Sequence, residues 1–201
     1  MSLTKNRFRS LVSTLAIVLA LGLLSVASVS AQTASAKTNI KNFGQMNDHF
    51  YRGAQPKEED FKDLKTLGVK TVIDLRDDPV SYEKRDVEAL GMRYVNIPMS
   101  DKSYPKEEQI TAFLKLVDDP TTGAFYVHCA GGRHRTGVMG AVYRFTHDHW
   151  NYDQVYKEMK DYDFYTRFGH GDMKKYVEDY WQRIQTKSVA STSVATTTQS
   201  N

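Results

Sequence analysis

Between Pro56 and Gly68 the bulky apolar residues Phe61, Leu64 and Leu67 recur every third position, with polar residues in the gaps. Apolar side chains so spaced share one face of a helix, proline fits a first helical turn and glycine ends one, so the pattern predicts a helix from Pro56 to Leu67. The next stretch, Lys70 to Leu75, is β-branched and apolar, as a strand covered on both faces requires. Asp77-Asp78-Pro79 turns the chain into a charged helix over Val80 to Leu90, Gly91 stops it, and Met92 to Pro98 reads as a further strand. Pro105 opens another helix, whose apolar stripe is Ile110, Phe113, Leu114 and Val117. A strand over Phe125 to His128 and a helix over Thr136 to His147 follow. Asp172 is placed as the cap of a final helix from Met173 to about Gln185, with Tyr176, Val177, Tyr180, Trp181 and Ile184 turned inward. Helices alternating with strands define an α/β fold around a central, largely parallel sheet of four to five strands flanked by helices.

The two ends depart from this pattern. Lys5, Arg7 and Arg9 precede an apolar run from Leu11 to Val29 that closes in small residues, the grammar of a secretory signal over residues 1–31. The expectation is an exported protein, periplasmic or secreted, with a polar leader over 32–39 and one globular domain over 40–187. Left uncleaved, the apolar run would anchor the chain in a membrane. Residues 188–201 are Ser, Thr, Ala and Gln with isolated valines, and are expected to form a disordered tail. At 201 residues and 40% hydrophobic, the chain has material for one sizeable core.

Removal of the signal also changes the charge. Three of the 27 basic residues lie in it and none of the 24 acidic ones do, so the remaining domain is balanced at 24 of each. No basic stripe interleaved with aromatics follows, and no nucleic-acid partner is expected.

Chemistry concentrates in Val127-His-Cys-Ala-Gly-Gly-Arg-His-Arg-Thr-Gly137, which holds the chain's single cysteine. The stretch joins the Phe125 strand to the Thr136 helix, at the carboxyl end of a sheet strand, where open α/β sheets bind ligands. Gly131 and Gly132 let successive amides face one point, and the incoming helix adds its free N–H groups and positive dipole end. Arg135 adds a planar fork that suits two oxygens of a phosphate or sulfate. A thiol at a helix N-terminus beside cations loses its proton readily, so Cys129 reads as a thiolate nucleophile beneath an anion cradle.

His128-Cys129, Gly132 and Arg135-Thr136-Gly137 together resemble the signature of the protein tyrosine phosphatase superfamily, in its dual-specificity branch. Tyr51 to Pro56 and Gly68 to Arg76 are similar to the opening of bacterial members, and Gly132 to Gly137 to plant and fungal members that act on inositol pyrophosphates. The resemblance implies a dual-specificity-phosphatase-like fold and hydrolysis of phosphate monoesters through a phosphocysteine. Cys129 would be the nucleophile and Arg135 the phosphate clamp. The amides of Ala130, Gly131, Gly132, Arg133, His134 and Arg135 would form the cradle. Thr136 would assist the sulfur as leaving group, and His128 would tune it from behind. The implied partner is a phosphorylated protein or an inositol phosphate, with no cofactor and no metal.

The resemblance also requires a general acid on an upstream loop, and Asp101 is assigned, although no Trp-Pro-Asp triplet marks the position. Asp77 and Asp78 read instead as turn and cap residues, and Asp74 lies inside a strand. His147 and His149 lack a third spaced ligand and read as a solvated helix end. Arg76 and Arg144 read as structural ion-pair residues, and Tyr162 to Gly171 as a connecting segment packed under the loop. A Walker-type nucleotide site fails because Gly137 is followed by Val-Met rather than Lys-Ser/Thr. A rhodanese-like sulfur transferase and a non-catalytic phosphate-binding module remain as alternatives.

Overall fold

The computed structural model describes residues 38–198, with side chains to residue 186. The expected signal over 1–31 and almost all of the leader therefore lie outside the described residues. The strands are β1 (Gly44–Gln45), β2 (Phe50–Ala54), β3 (Thr71–Arg76), β4 (Arg93–Met99) and β5 (Phe125–Cys129). They form one sheet in the order β1-β2-β5-β3-β4, with only β1 antiparallel to its neighbour. The largely parallel α/β sheet inferred from the sequence is thus present.

Side chains alternate across this sheet, as the strand period demands. Ile73, Leu75 and Val127 enter a core with Val138, Val142 and Tyr176, while Val72 and Tyr126 enter a second core with Phe61, Leu64 and Val87. The first core is built by α3 (Glu107–Val117), α4 (His134–Thr146), α5 (Tyr152–Asp161) and α6 (Gly171–Thr198). The second rests on α1 (Asp60–Thr66) and α2 (Glu83–Ala89). Every residue of β5 is buried because both its faces are covered.

Several elements differ from the sequence reading. β2 is entirely buried yet was not predicted, because Arg52 and Gly53 interrupt its apolar run. α5 was also missed: its composition is polar, and its start is signalled only by the reciprocal cap between Asn151 and Gln154. α4 begins two residues before the predicted Thr136, which brings Arg135 and Thr136 into its first turn. α6 starts at Gly171, so Asp172 lies in its first turn, and it runs to Thr198 through the segment expected to be a disordered tail. The correction has a simple cause: once the packed turns pay for nucleation, each added residue costs only its propensity, and no glycine or proline follows Gly171. Among the described residues, no helix is long and apolar enough to cross a membrane.

Candidate active site

β5 enters the sheet between β2 and β3, and its last residue is Cys129. The loop that follows is fixed through its carbonyls. That of Ala130 accepts from the Gln55 amide at 3.3 Å, that of Gly131 from Asn42 Nδ2 at 3.1 Å, and that of Gly132 from Arg52 Nη2 at 2.7 Å. Three consecutive carbonyls are thus pinned to β2 and to residues on either side of it, while the Arg133 and Thr136 amides bond the Cys129 sulfur. Gly132 has φ +66°, and a Cβ there would lie 2.5 Å from the Gly53 carbonyl carbon. Both the dihedral and the close approach demand glycine.

The cysteine is 4% exposed. Burial alone would raise its pKa. Hydrogen bonding from the Thr136 hydroxyl and amide, the Arg135 charge and the Arg133 amide outweigh that, and the thiol is shifted toward the thiolate. The Thr136 hydroxyl is buried and has no well-formed hydrogen bond elsewhere, which leaves it available to the sulfur. Arg52 lies fully buried beside the loop, its guanidinium 4.1 Å from the Tyr162 ring centroid. Desolvation lowers its pKa to about 10, so it remains a cation at neutral pH.

Arg135 is held at the front by Asp77 Oδ1 at 2.9 Å and by the Met99 carbonyl at 3.0 Å. Asp77, expected as a turn residue, is therefore the partner of the phosphate-clamp candidate. Asp78 pairs with Arg76 instead, at 3.1 Å. Asp101 is exposed on the loop after β4, and its carbonyl is 2.8 Å from His170 Nδ1. The His170 ring stacks at 3.5 Å on that of His134, the first residue of α4. Burial, then the neighbouring His170, push the His134 pKa down to about 4, so it is neutral at pH 7.

Behind the sulfur sits a buried charge cluster. His128 Nε2 is 2.8 Å from Glu83 Oε1 and 3.9 Å from Asp74 Oδ1, and all three side chains are fully buried. The Nε2–Oε1 contact lies off the N–H axis, so charge rather than a linear hydrogen bond holds it. Glu83 Oε2 accepts from Gln55 Nε2 at 2.8 Å, Asp74 Oδ1 from the Arg76 amide at 2.9 Å and Asp74 Oδ2 from the Tyr94 hydroxyl at 2.9 Å. Among the described residues this is the one group of ligand-type side chains, with atoms within 4.8 Å of one another. Its oxygens are already taken by donors and by the imidazole, which marks an ion-pair cluster rather than a metal centre.

The segment from Tyr162 to Gly171 packs on the flank of the loop: Phe164 and Tyr165 meet the His134 ring at 5.3 and 4.4 Å. Arg144 is structural as expected, bound to Glu158, Asp148 and the Met46 carbonyl. His147 pairs with Asp118 at 2.7 Å, and His149 is exposed. Sequence reasoning missed Arg52, Gln55 and Glu83 as parts of the site. The first two lie in Tyr51 to Pro56, whose resemblance to bacterial members was the available signal. Glu83 stands in a charged helix with nothing to distinguish it.

The chain matches the family model described as "DSP-PTPase phosphatase fused to NAD+ Kinase" over residues 23–178. It is 30% identical over 154 residues to the Probable tyrosine-protein phosphatase DG1060 of Dictyostelium discoideum, covering 74% of this chain and 88% of that one. It is 29% identical over 103 residues to the inositol diphosphatase DSP3 of Arabidopsis thaliana, covering 49% and 51% of the two chains. It is 30% identical over 135 residues to the dual specificity protein phosphatase TpbA of Pseudomonas aeruginosa strain UCBPP-PA14, covering 65% and 56%. A crystal structure of P. aeruginosa TpbA superposes with a TM-score of 0.60 at 24% identity, over 69% of this chain and 84% of the other. These similarities favour phosphate chemistry over sulfur transfer.

Proposed function

Given that the chain belongs to the dual-specificity branch of the protein tyrosine phosphatases and is a cysteine-dependent phosphatase, we propose that it acts on substrates bearing more than one phosphate, of the inositol phosphate type. The observation that carries the cysteine chemistry is the pinning of three consecutive loop carbonyls while the Arg133 and Thr136 amides bond the Cys129 sulfur, and on it we read the amides of residues 130–135 as the cradle for one anion. In this reading the Cys129 thiolate attacks phosphorus, Arg135 exchanges Asp77 for two phosphate oxygens, and Thr136 stabilises the departing sulfur in the second step. Asp101 protonates the leaving oxygen and then activates water.

The choice of polyphosphorylated substrate rests on the groove next to the cradle. Arg133, Lys160 and Arg167 line a space of about 430 Å³ with Tyr165, and the one acidic residue of that lining, Asp163, lies 3.7 Å from Arg133. Three cations exceed what one phosphate needs. The arginine-rich rim would take the further phosphates of a polyanion, as the name of the Arabidopsis relative also suggests. We also read the domain as exported, on the strength of residues 1–31; sequencing the N-terminus of the mature protein tests this.

Phosphate release from an inositol polyphosphate, a phosphotyrosyl peptide and a phosphoseryl peptide, run beside Cys129→Ser, tests the proposal. The inositol polyphosphate is expected to give the highest kcat/KM, and the serine variant no turnover. Wild-type rates in Cys129→Ser refute the mechanism. Equal kcat/KM for the phosphotyrosyl peptide removes the groove from substrate choice and returns a phosphoprotein as substrate.

A further inference from the structure

We propose that Glu83, a fully buried carboxylate on α2, is a positioning residue for the reaction: it keeps His128 charged behind the cysteine and so holds Cys129 as a thiolate. This inference rests on the reading of Cys129 as the nucleophile.

The geometry is specific. Glu83 Oε1 is 2.8 Å from His128 Nε2, with neither side chain reached by solvent. Its other oxygen is fixed by Gln55 Nε2, and Gln55 is fixed in turn by Arg76 Nη1 at 2.8 Å and through its own amide by the Ala130 carbonyl. One side chain therefore ties the carboxylate to the cysteine loop. Asp74 is the rival counter-charge, but it stands farther off at 3.9 Å and both its oxygens already accept from neutral donors. The ring itself lies parallel to that of Tyr126, at 5.6 Å and an interplanar angle of 16°, and is wholly buried.

The charges oppose one another in a definite order. Burial on its own would strip the proton from His128. The Glu83 carboxylate, then Asp74, then the Cys129 charge outweigh it, and the imidazole pKa is raised. The His128 and Cys129 charges favour one another, so an imidazolium on the residue before the cysteine adds to the stabilisation of the sulfur anion by Thr136, Arg135 and the Arg133 amide. The other charges facing Cys129 are Arg135 from α4 and Arg52 from β2; Arg76 from β3 and Asp74 face the cluster. A carboxamide at position 83 keeps the shape and removes the charge. If the ring then loses its proton, the pair stays neutral overall but its positive end next to the sulfur is gone.

The test is the pH dependence of Cys129 alkylation by iodoacetamide, which reads the thiolate without requiring turnover. Glu83→Gln is expected to move the midpoint up by about one pH unit, with about tenfold slower alkylation below both midpoints. In a His128→Asn background the same substitution is expected to raise the midpoint no longer, and to lower it if anything, because only the repulsion by the carboxylate is then removed; a merely structural role would not produce that reversal. An unchanged or lowered midpoint in Glu83→Gln, or an equal shift in both backgrounds, overturns the proposal. Should the variants not fold, ring ¹⁵N shifts of His128 in the wild-type protein decide: imidazolium at pH 7.5 supports it, and a neutral ring overturns it. A wild-type midpoint at the ordinary thiol value, by contrast, sinks the nucleophile reading itself.

Discussion

The two sides of the cysteine are built to different standards. Behind and beneath it, each loop carbonyl from Ala130 to Gly132 has its own donor, and His128 is locked between buried groups. In front, Asp101 rides an exposed loop tied to the body by His170 and, through Tyr104, by Asp179 at 2.8 Å. The difference follows from the tasks. A thiolate exists only while several weak stabilising effects act together, so its surroundings must be fixed. In the mechanism we propose, Asp101 has to reach the leaving group, and a lightly tethered loop permits that.

The contrast can be broken from its rigid side first. Cys129→Ser is expected to reduce phosphate release to background while leaving the thermal melt unchanged. Arg135→Ala is expected to lower kcat by a factor on the order of 10² to 10³, as loss of a preorganised charge at the reacting oxygens does, and to abolish competition by vanadate. On the exposed side, Asp101→Asn is expected to slow alkyl phosphates by about 10²-fold while sparing p-nitrophenyl phosphate, whose leaving group needs no proton. An unchanged rate on alkyl phosphates, with Asp77→Asn slow instead, would transfer the acid to Asp77.

Two smaller effects sharpen the picture. Gly132→Ala forces a Cβ against the Gly53 carbonyl and is expected to destabilise the fold by about 1–3 kcal/mol in denaturant titration, with loss of anion binding. His134 supplies a pH effect. Its folded pKa of about 4 lies below the free value of 6.5, so the unfolded chain binds the proton first. Its contribution to stability is complete above pH 6.5 and is lost as pH falls toward 4. The melting temperature is expected to fall across that window, and less steeply in His134→Gln.

The sequence was most informative where one physical requirement governs a run of residues. Ile73, Leu75 and Val127 announce buried strands because both faces are covered, and Gly131-Gly132 before a helix announces an anion cradle because little else folds that way. Arg52 defeated the same logic: a buried cation inside a strand reads as a break, and its justification, the Gly132 carbonyl, lies eighty residues away. Glu83 was illegible for a related reason, since one carboxylate in a run of charges gains meaning only when the fold brings α2 beside the sheet and Glu83 to His128. Asp77 looked like a turn residue, and it is one; its second role needs Arg135, which reaches it only across the sheet.

The insertion of β5 between β2 and β3 has a consequence in time. Two earlier segments of the chain each end at an empty edge until residues 125–129 arrive to join them, and pairings so distant along the chain form slowly. The reactive sulfur is on the last residue of that joining strand. A chain in which that strand is not yet seated therefore carries an ordinary thiol, and the reagent is armed only once β5 and the start of α4 are in place.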